Sequence, residues 1–323
     1  MKTATLSMLA LLTLGGYVAS AQNSLPGYVV KDGQTLPFVA WIDSVWADHL
    51  RARADLMDNA LAREAFYRDA LRVNQSSAET VEHLARFYQD RKAVPLNYAL
   101  AAYGRILDPD RPAWKEIRNQ LGDLTTLRTL DPVDAQRAPP LPGEEQKTLQ
   151  HARDLIAAGE IMRGELALRS LLEKHPGDSR LLVELGLLYA QTRDWALSIG
   201  LFAYTYDLYP SAYAIAFNLA TGLEQIGKLQ AALDIMAGQT RRNPGDPRPL
   251  RDATRLAQQV DRPEKAMDFA KRWVAAAPTD PDAHLALARL LLAAQRYADA
   301  DTRAASALNL APERLDLVAL KAE

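Results

Sequence analysis

The chain contains no cysteine. Disulfides, thiolate metal sites and an acylated cysteine behind an export signal are therefore excluded together. A chain of 323 residues without such cross-links is held by packing alone, which its size permits. Charge of one sign is lacking too: 38 Lys and Arg stand against 40 Asp and Glu, so nothing draws the whole molecule toward nucleic acid or an anionic membrane. Beyond the signal-like start there is no long apolar run, and no integral membrane segment is expected there, since a spanning helix needs about 20 residues.

Sequence patterns for nucleophile elbows (G-x-S-x-G), phosphate loops (G-x-x-x-x-G-K-[ST]) and dinucleotide cradles (G-x-G-x-x-G) are also missing. The histidines, His49, His83, His151, His175 and His284, are dispersed, and none pairs with another at the short spacing of a helical metal site. Paired carboxylates such as Glu144 with Glu145 and Asp299 with Asp301 read as solvated helix faces or helix starts. No cofactor, metal or catalytic constellation is expected, and the chain reads as a non-enzyme.

What the sequence does have begins at its first residues. Residues 1–21 carry Lys2, an apolar run from Leu6 to Leu14 and Ala19-Ser20-Ala21. This is the plan of a secretory signal peptide, with cleavage before Gln22 and an uncleaved anchor as the alternative. A periplasmic or extracellular location follows. Residues 22–40 mix Pro, Gly and an Asp32-Gly33 turn signal with short β-prone runs, which reads as a flexible arm in preference to a small hairpin.

The main signal is a period. Pro176, Pro210, Pro244, Pro278 and Pro312 recur at one fixed interval. In the unit before Pro210 stand Leu182, Leu185-Gly186, Tyr189, Ser198 and Phe202; the units before Pro244 and Pro312 place Leu219-Ala220, Gly227, Ala232 and Met236, and Leu287-Ala288, Tyr297 and Ala300, in the same frame. The unit before Pro278 is looser, with Thr254 and Ala266, and the one before Pro176 has Ala152, Leu155 and Gly164. A proline after a second helix removes an amide donor and turns the preceding residue away from helical geometry, so it ends the unit. "HPGD" and "NPGD" add a glycine for the turn and an aspartate to cap the next helix. That reading also disposes of Gly177-Asp178-Ser179 as a hydrolase triplet.

These residues resemble the tetratricopeptide repeat, a helix–turn–helix unit of about 34 residues, which is the step from each of these prolines to the next. The resemblance implies an all-α, right-handed α-solenoid of about seven helix pairs. Residues 144–312 hold five of them. Residues 41–130 hold two worn ones, the later marked by Val81, Leu84-Ala85, Tyr88 and Tyr98, the earlier by "FYRDALRVNQ" after a helix with Trp46 and Leu50. An extra helix carries Trp114, Ile117 and Leu121; a Pro-rich linker spans 131–143, and residues 313–323 form a capping helix.

Solenoids of this kind use the face of their first helices as the binding surface. The resemblance places on it Arg153, Val183, Leu187, Phe217, Asn218, Thr221, Arg248, Arg251, Arg255 and Arg289. A guanidinium fork suits a carboxylate, so the expected ligand is a peptide segment with apolar side chains near Phe217 and acidic ones near the arginines. The aromatic cluster Trp195, Tyr204, Tyr206, Tyr209 and Tyr213 reads mostly as inter-repeat core, with exposure of Tyr204 and Tyr209 for a secondary contact as the alternative. The expected function is an exported scaffold or adaptor for protein partners in the cell envelope. The alternatives are a periplasmic holdase and an accessory factor of an envelope glycan or polysaccharide system.

Overall fold

The structure, a computed structural model, describes residues 28–31, 34–120 and 141–314. The expected signal peptide, Leu121, residues 122–140 of the linker region and residues 315–323 of the capping helix lie outside them. Two compact units divide the chain after Thr80.

In the first unit a hairpin stands where an arm was expected. Strand β1 (Tyr28–Lys31) pairs antiparallel with β2 (Gln34–Pro37), Tyr28 opposite Pro37 and Lys31 opposite Gln34. Helices α1 (Phe38–Asp55) and α2 (Ala60–Val73) follow and pack on each other. Asn59 caps α2 through the Ala62 amide at 3.0 Å.

The second unit holds all but the first turn of α3 (Ala78–Asp90), then α4 (Val94–Leu107), α5 (Pro112–Gln120) and five pairs. The pairs are α6 (Gly143–Ala157) with α7 (Ile161–Lys174), α8 (Ser179–Gln191) with α9 (Trp195–Leu208), α10 (Tyr213–Gln225) with α11 (Leu229–Arg242), α12 (Pro247–Gln259) with α13 (Pro263–Ala276), and α14 (Pro281–Ala293) with α15 (Tyr297–Leu310). No described helix is long and apolar enough to cross a membrane.

Each proline of the ladder follows the second helix of a pair. Asp178, Asp246 and Asp280 cap α8, α12 and α14 by accepting the amides of Arg180, Arg248 and Asp282 at 2.9, 3.0 and 2.9 Å, which satisfies donors the helix start leaves open. The residue before the proline reaches back to the beginning of its own pair or the turn just before it. His175 pairs with Glu145 at 2.6 Å, Tyr209 donates to the Gly177 carbonyl at 2.9 Å, and Asn243 donates to that of Ser211 at 3.1 Å. That position therefore ties the end of a pair to its own beginning wherever its side chain is long enough.

A second ladder lies inside the pairs. Gly159, Arg193, Gly227, Asp261 and Gln295 all have φ between 53° and 83°, and they recur at the same interval as the prolines. At each, the following amide bonds back to a carbonyl of the preceding helix, as Asp194 to Tyr189 and Arg296 to Leu291 at 2.8 and 2.9 Å. These are helix ends closed by a left-handed residue. Only two of the five are glycine.

The worn pair α3–α4 does not extend the array in chain order. Helix α4 instead lies across α9, the second helix of the pair 179–208. Every residue of α4 from Pro95 to Gly104 is buried, as is every residue of α9 from Ala196 to Thr205. A helix apolar on all sides needs cover on all sides, and α4 is the second cover. Gly200 makes the approach possible, since a Cβ there would fall 2.6 Å from the Ala99 carbonyl oxygen. Beside it the Tyr98 and Tyr204 rings meet at 4.7 Å. The single charged residue of α9, Asp207, is held by Arg105 and accepts from Tyr98 at 3.1 Å. Tyr204 and Tyr209, for which a secondary surface contact was the alternative reading, are fully buried and donate to the turn carbonyls of Pro176 and Gly177, both at 2.9 Å. Ser198, where the repeat pattern has alanine, donates to the Gly186 carbonyl at 2.8 Å.

Candidate functional site

Helices α6, α8, α10, α12 and α14 are the first members of their pairs, and the repeat register sorts their outward side chains into columns. One column reads Arg153, Leu187, Thr221, Arg255, Arg289; its neighbour reads Val183, Phe217, Arg251. Leu187 and Phe217 are 43% and 39% exposed, large apolar groups on an otherwise polar face. Val183, Asn218 and Thr221 are half-buried.

The arginines are brought to this face, but most arrive with a carboxylate already in place. Arg153 is gripped by Glu184 on the next first helix, its Nε 3.0 and 3.2 Å from the two oxygens. Arg255 holds Glu224 on the preceding first helix, at 2.6 and 2.9 Å from its two terminal nitrogens. Both bridges join residues 31 apart. The paired carboxylates raise the pKa of Arg153 and Arg255 further above its usual value, chiefly through these hydrogen bonds. Arg248 bonds Asp246, the cap of its own helix, at 2.7 Å, and holds that carboxyl below the usual range. Its guanidinium also lies 4.5 Å from the centre of the Tyr213 ring.

Tyr213 is the hub between α10 and α12. It donates to the buried Asp252 at 2.6 Å and packs against Phe217 at 5.9 Å. Burial first, and then the bond to Asp252, pushes its phenol up to about 12. Arg251 is more loosely held, 3.3 Å from Asp252 and 3.5 Å from the Tyr213 hydroxyl. Arg289 is exposed and has no hydrogen-bond or ion-pair partner among the described residues.

The result is an apolar centre at Leu187 and Phe217 flanked by two closed ion-pair bridges, with open positive charge toward α14. Sequence reasoning found the arginines and placed Glu224 on this face, but missed Glu184 and the pairing of both glutamates with the arginines, whose offset becomes readable once the register is known. Among the described residues no group of three His, Cys, Asp or Glu is placed to hold a metal. A cleft of about 550 Å³ between α3 and α5 is lined by Glu82, Arg86, Asp108 and Arg111, but these close on one another, Glu82 taking Arg111 at 2.9 Å and Arg86 at 3.0 Å.

Helix pairs, a fixed repeat register and side chains interlocked from one pair to the next are now all in view. The architecture is a tetratricopeptide-repeat solenoid. No family model and no curated protein matches the chain. Solved tetratricopeptide-type structures similar to it include MamA from Desulfovibrio magneticus RS-1, at 15% identity and TM-score 0.44 over 55% of this chain and 99% of that one. YrrB, described as a TPR protein with an unusual peptide-binding site, has 14% identity and TM-score 0.45 over 56% and 94%. TTC0263 from Thermus thermophilus has 22% identity and TM-score 0.36 over 55% and 97%.

Proposed function

We propose that the chain is a non-catalytic scaffold that binds segments of other proteins along the first-helix face of residues 143–312. The observation that carries this reading is the exposure of Leu187 and Phe217 on neighbouring first helices, side by side on a face whose surrounding charges are locked in pairs. Interfaces concentrate their energy in a few such apolar and aromatic anchors ringed by polar contacts. The locked bridges keep the face rigid, which lowers the ordering cost of binding. The signal-like residues 1–21 add an exported setting, with partners in the cell envelope.

The test places a photo-crosslinking amino acid at position 217 in living cells. The expected result is a small set of adducts, in an exported fraction, that disappears with Leu187→Asp. Adducts unaffected by Leu187→Asp would remove the face from consideration, and a chain confined to the cytosol would remove the envelope setting. In co-purification without the crosslinker, Phe217→Ser is expected to abolish recovery of the same partners while the protein stays folded, as read by its helical circular dichroism.

A further inference from the structure

Arg255 and Glu224 form one closed bridge between consecutive first helices. One repeat further on, the same two register positions are Arg289 and Gln258. The arginine recurs and the carboxylate does not. Gln258 is exposed and neutral, and Arg289 is left exposed without a partner among the described residues. We propose that Arg289 and Gln258 form an open slot for an aspartate or glutamate side chain of the bound segment, an inference that rests on the binding reading above and adds the charge and direction of the ligand.

The fold itself supplies the template. At Arg255 a carboxylate accepts from both terminal nitrogens of the guanidinium, at 2.6 and 2.9 Å, the bidentate geometry that makes such pairs strong. A partner's carboxylate taking the corresponding place on Arg289 completes the same fork, and the Gln258 amide N–H supplies a further donor. No other arginine of the column offers this. Arg153 and Arg255 would each have to release their own glutamate first. The slot lies on α14 and α12, two repeats from Phe217 on α10. With about 10 Å between neighbouring helix axes the separation is about 20 Å, or about six residues of extended chain. The preferred ligand is therefore an extended segment with apolar side chains over Leu187 and Phe217 and an acidic one about six residues away.

The experiment displays random twelve-residue segments, amidated in the follow-up synthesis to remove the terminal carboxylate, and selects them on the full chain. The parent is expected to enrich apolar residues together with Asp or Glu at that separation. Gln258→Glu, which supplies the missing carboxylate internally, and Arg289→Ala should each lose the acidic preference, keep the apolar one, and weaken an acidic peptide about tenfold. Arg289→Glu should bind the Lys-substituted peptide better than the acidic one. Acidic preference that survives in both Gln258→Glu and Arg289→Ala overturns the slot, as does apolar enrichment without any acid. In those cases loss of binding in Phe217→Ser keeps the face itself standing. No enrichment on any variant overturns both. Stronger binding by Asp316→Asn would assign the slot to the chain's own C-terminal segment and also overturn the proposal.

Discussion

Gly200→Ala tests the seating of α4 on α9 through the sign of its effect. In an exposed or loosely covered helix, replacing glycine by alanine stabilises by about 1 kcal/mol, because the unfolded chain loses freedom it no longer has to give up. Here the added methyl group would stand 2.6 Å from the Ala99 carbonyl oxygen and 2.8 Å from its carbon. Both are backbone atoms, which cannot rotate aside. Overpacking of this kind costs about 1–3 kcal/mol, and rigid backbone puts this case in the upper half of that range. The net expectation is a loss of about 1–2 kcal/mol, or a fall in Tm of about 2–8 °C for a unit of this size. Gly238→Ala on α11 is the matched control. Its methyl group would meet chiefly the tip of the Arg242 side chain at 3.0 Å and the Tyr206 hydroxyl at 3.3 Å, far ends of side chains that can shift, so gain and cost should nearly cancel. Urea denaturation of the two variants against the parent reads both numbers. A Gly200→Ala protein more stable than its parent would refute the fold-back of α4 outright.

Three further expectations follow from the turns and the tyrosine hub. Gln295 holds a left-handed conformation, φ 59°, that costs a side-chain-bearing residue about 1 kcal/mol; Gln295→Gly should therefore raise stability by about 0.5–1 kcal/mol, and Gly227→Ala should lower it by a similar amount, both read by denaturant midpoints. Asp280 accepts from the Asp282 amide at 2.9 Å and from the buried Trp273 indole at 3.1 Å, so Asp280→Ala should cost about 2 kcal/mol through a lost cap and an unpaired indole N–H, and should alter Trp273 fluorescence. Tyr213 keeps its proton up to about pH 12, so the stability it contributes is whole below about pH 10 and is lost as pH rises through 12; the difference in ultraviolet phenolate absorbance between the parent and Tyr213→Phe should titrate near 12, and a midpoint near the ordinary tyrosine value of about 10 would contradict its bond to Asp252.

How much of this was legible depended on whether the signal was periodic. The proline ladder located the helix ends because the same backbone problem recurs in every repeat and proline solves it visibly. The left-handed ladder recurs just as strictly, yet Arg193, Asp261 and Gln295 carry it without glycine, so composition leaves no trace of it. The bridges Arg153–Glu184 and Glu224–Arg255 were readable in principle, since a fixed register predicts which side chains of neighbouring helices face each other. The pairing of α4 with α9 was not. It depends on matched shape, with Gly200 opposite Ala99 and Tyr98 beside Tyr204, between parts of the chain far apart in sequence. A hint existed in α9, whose single charged residue is Asp207. The aromatic residues there suggested an exposed contact surface, and the contact proved to be made by the chain's own earlier helix.

The separation of α4 from α9 also sets an order of events in synthesis. The hydrogen bond from Tyr98 to Asp207 joins residues 109 apart, whereas the bridges along the first helices close over 31. At a ribosomal rate of about 5–20 residues per second, α4 waits about 5–20 s before its seat on α9 exists. During that interval α5 can cover one side of the apolar stretch from Pro95 to Gly104 through Trp114, but the side that faces α9 has no native cover, while each later pair can close on its neighbour almost as soon as it emerges. The unfinished chain is therefore most vulnerable to aggregation at the pair α3–α4.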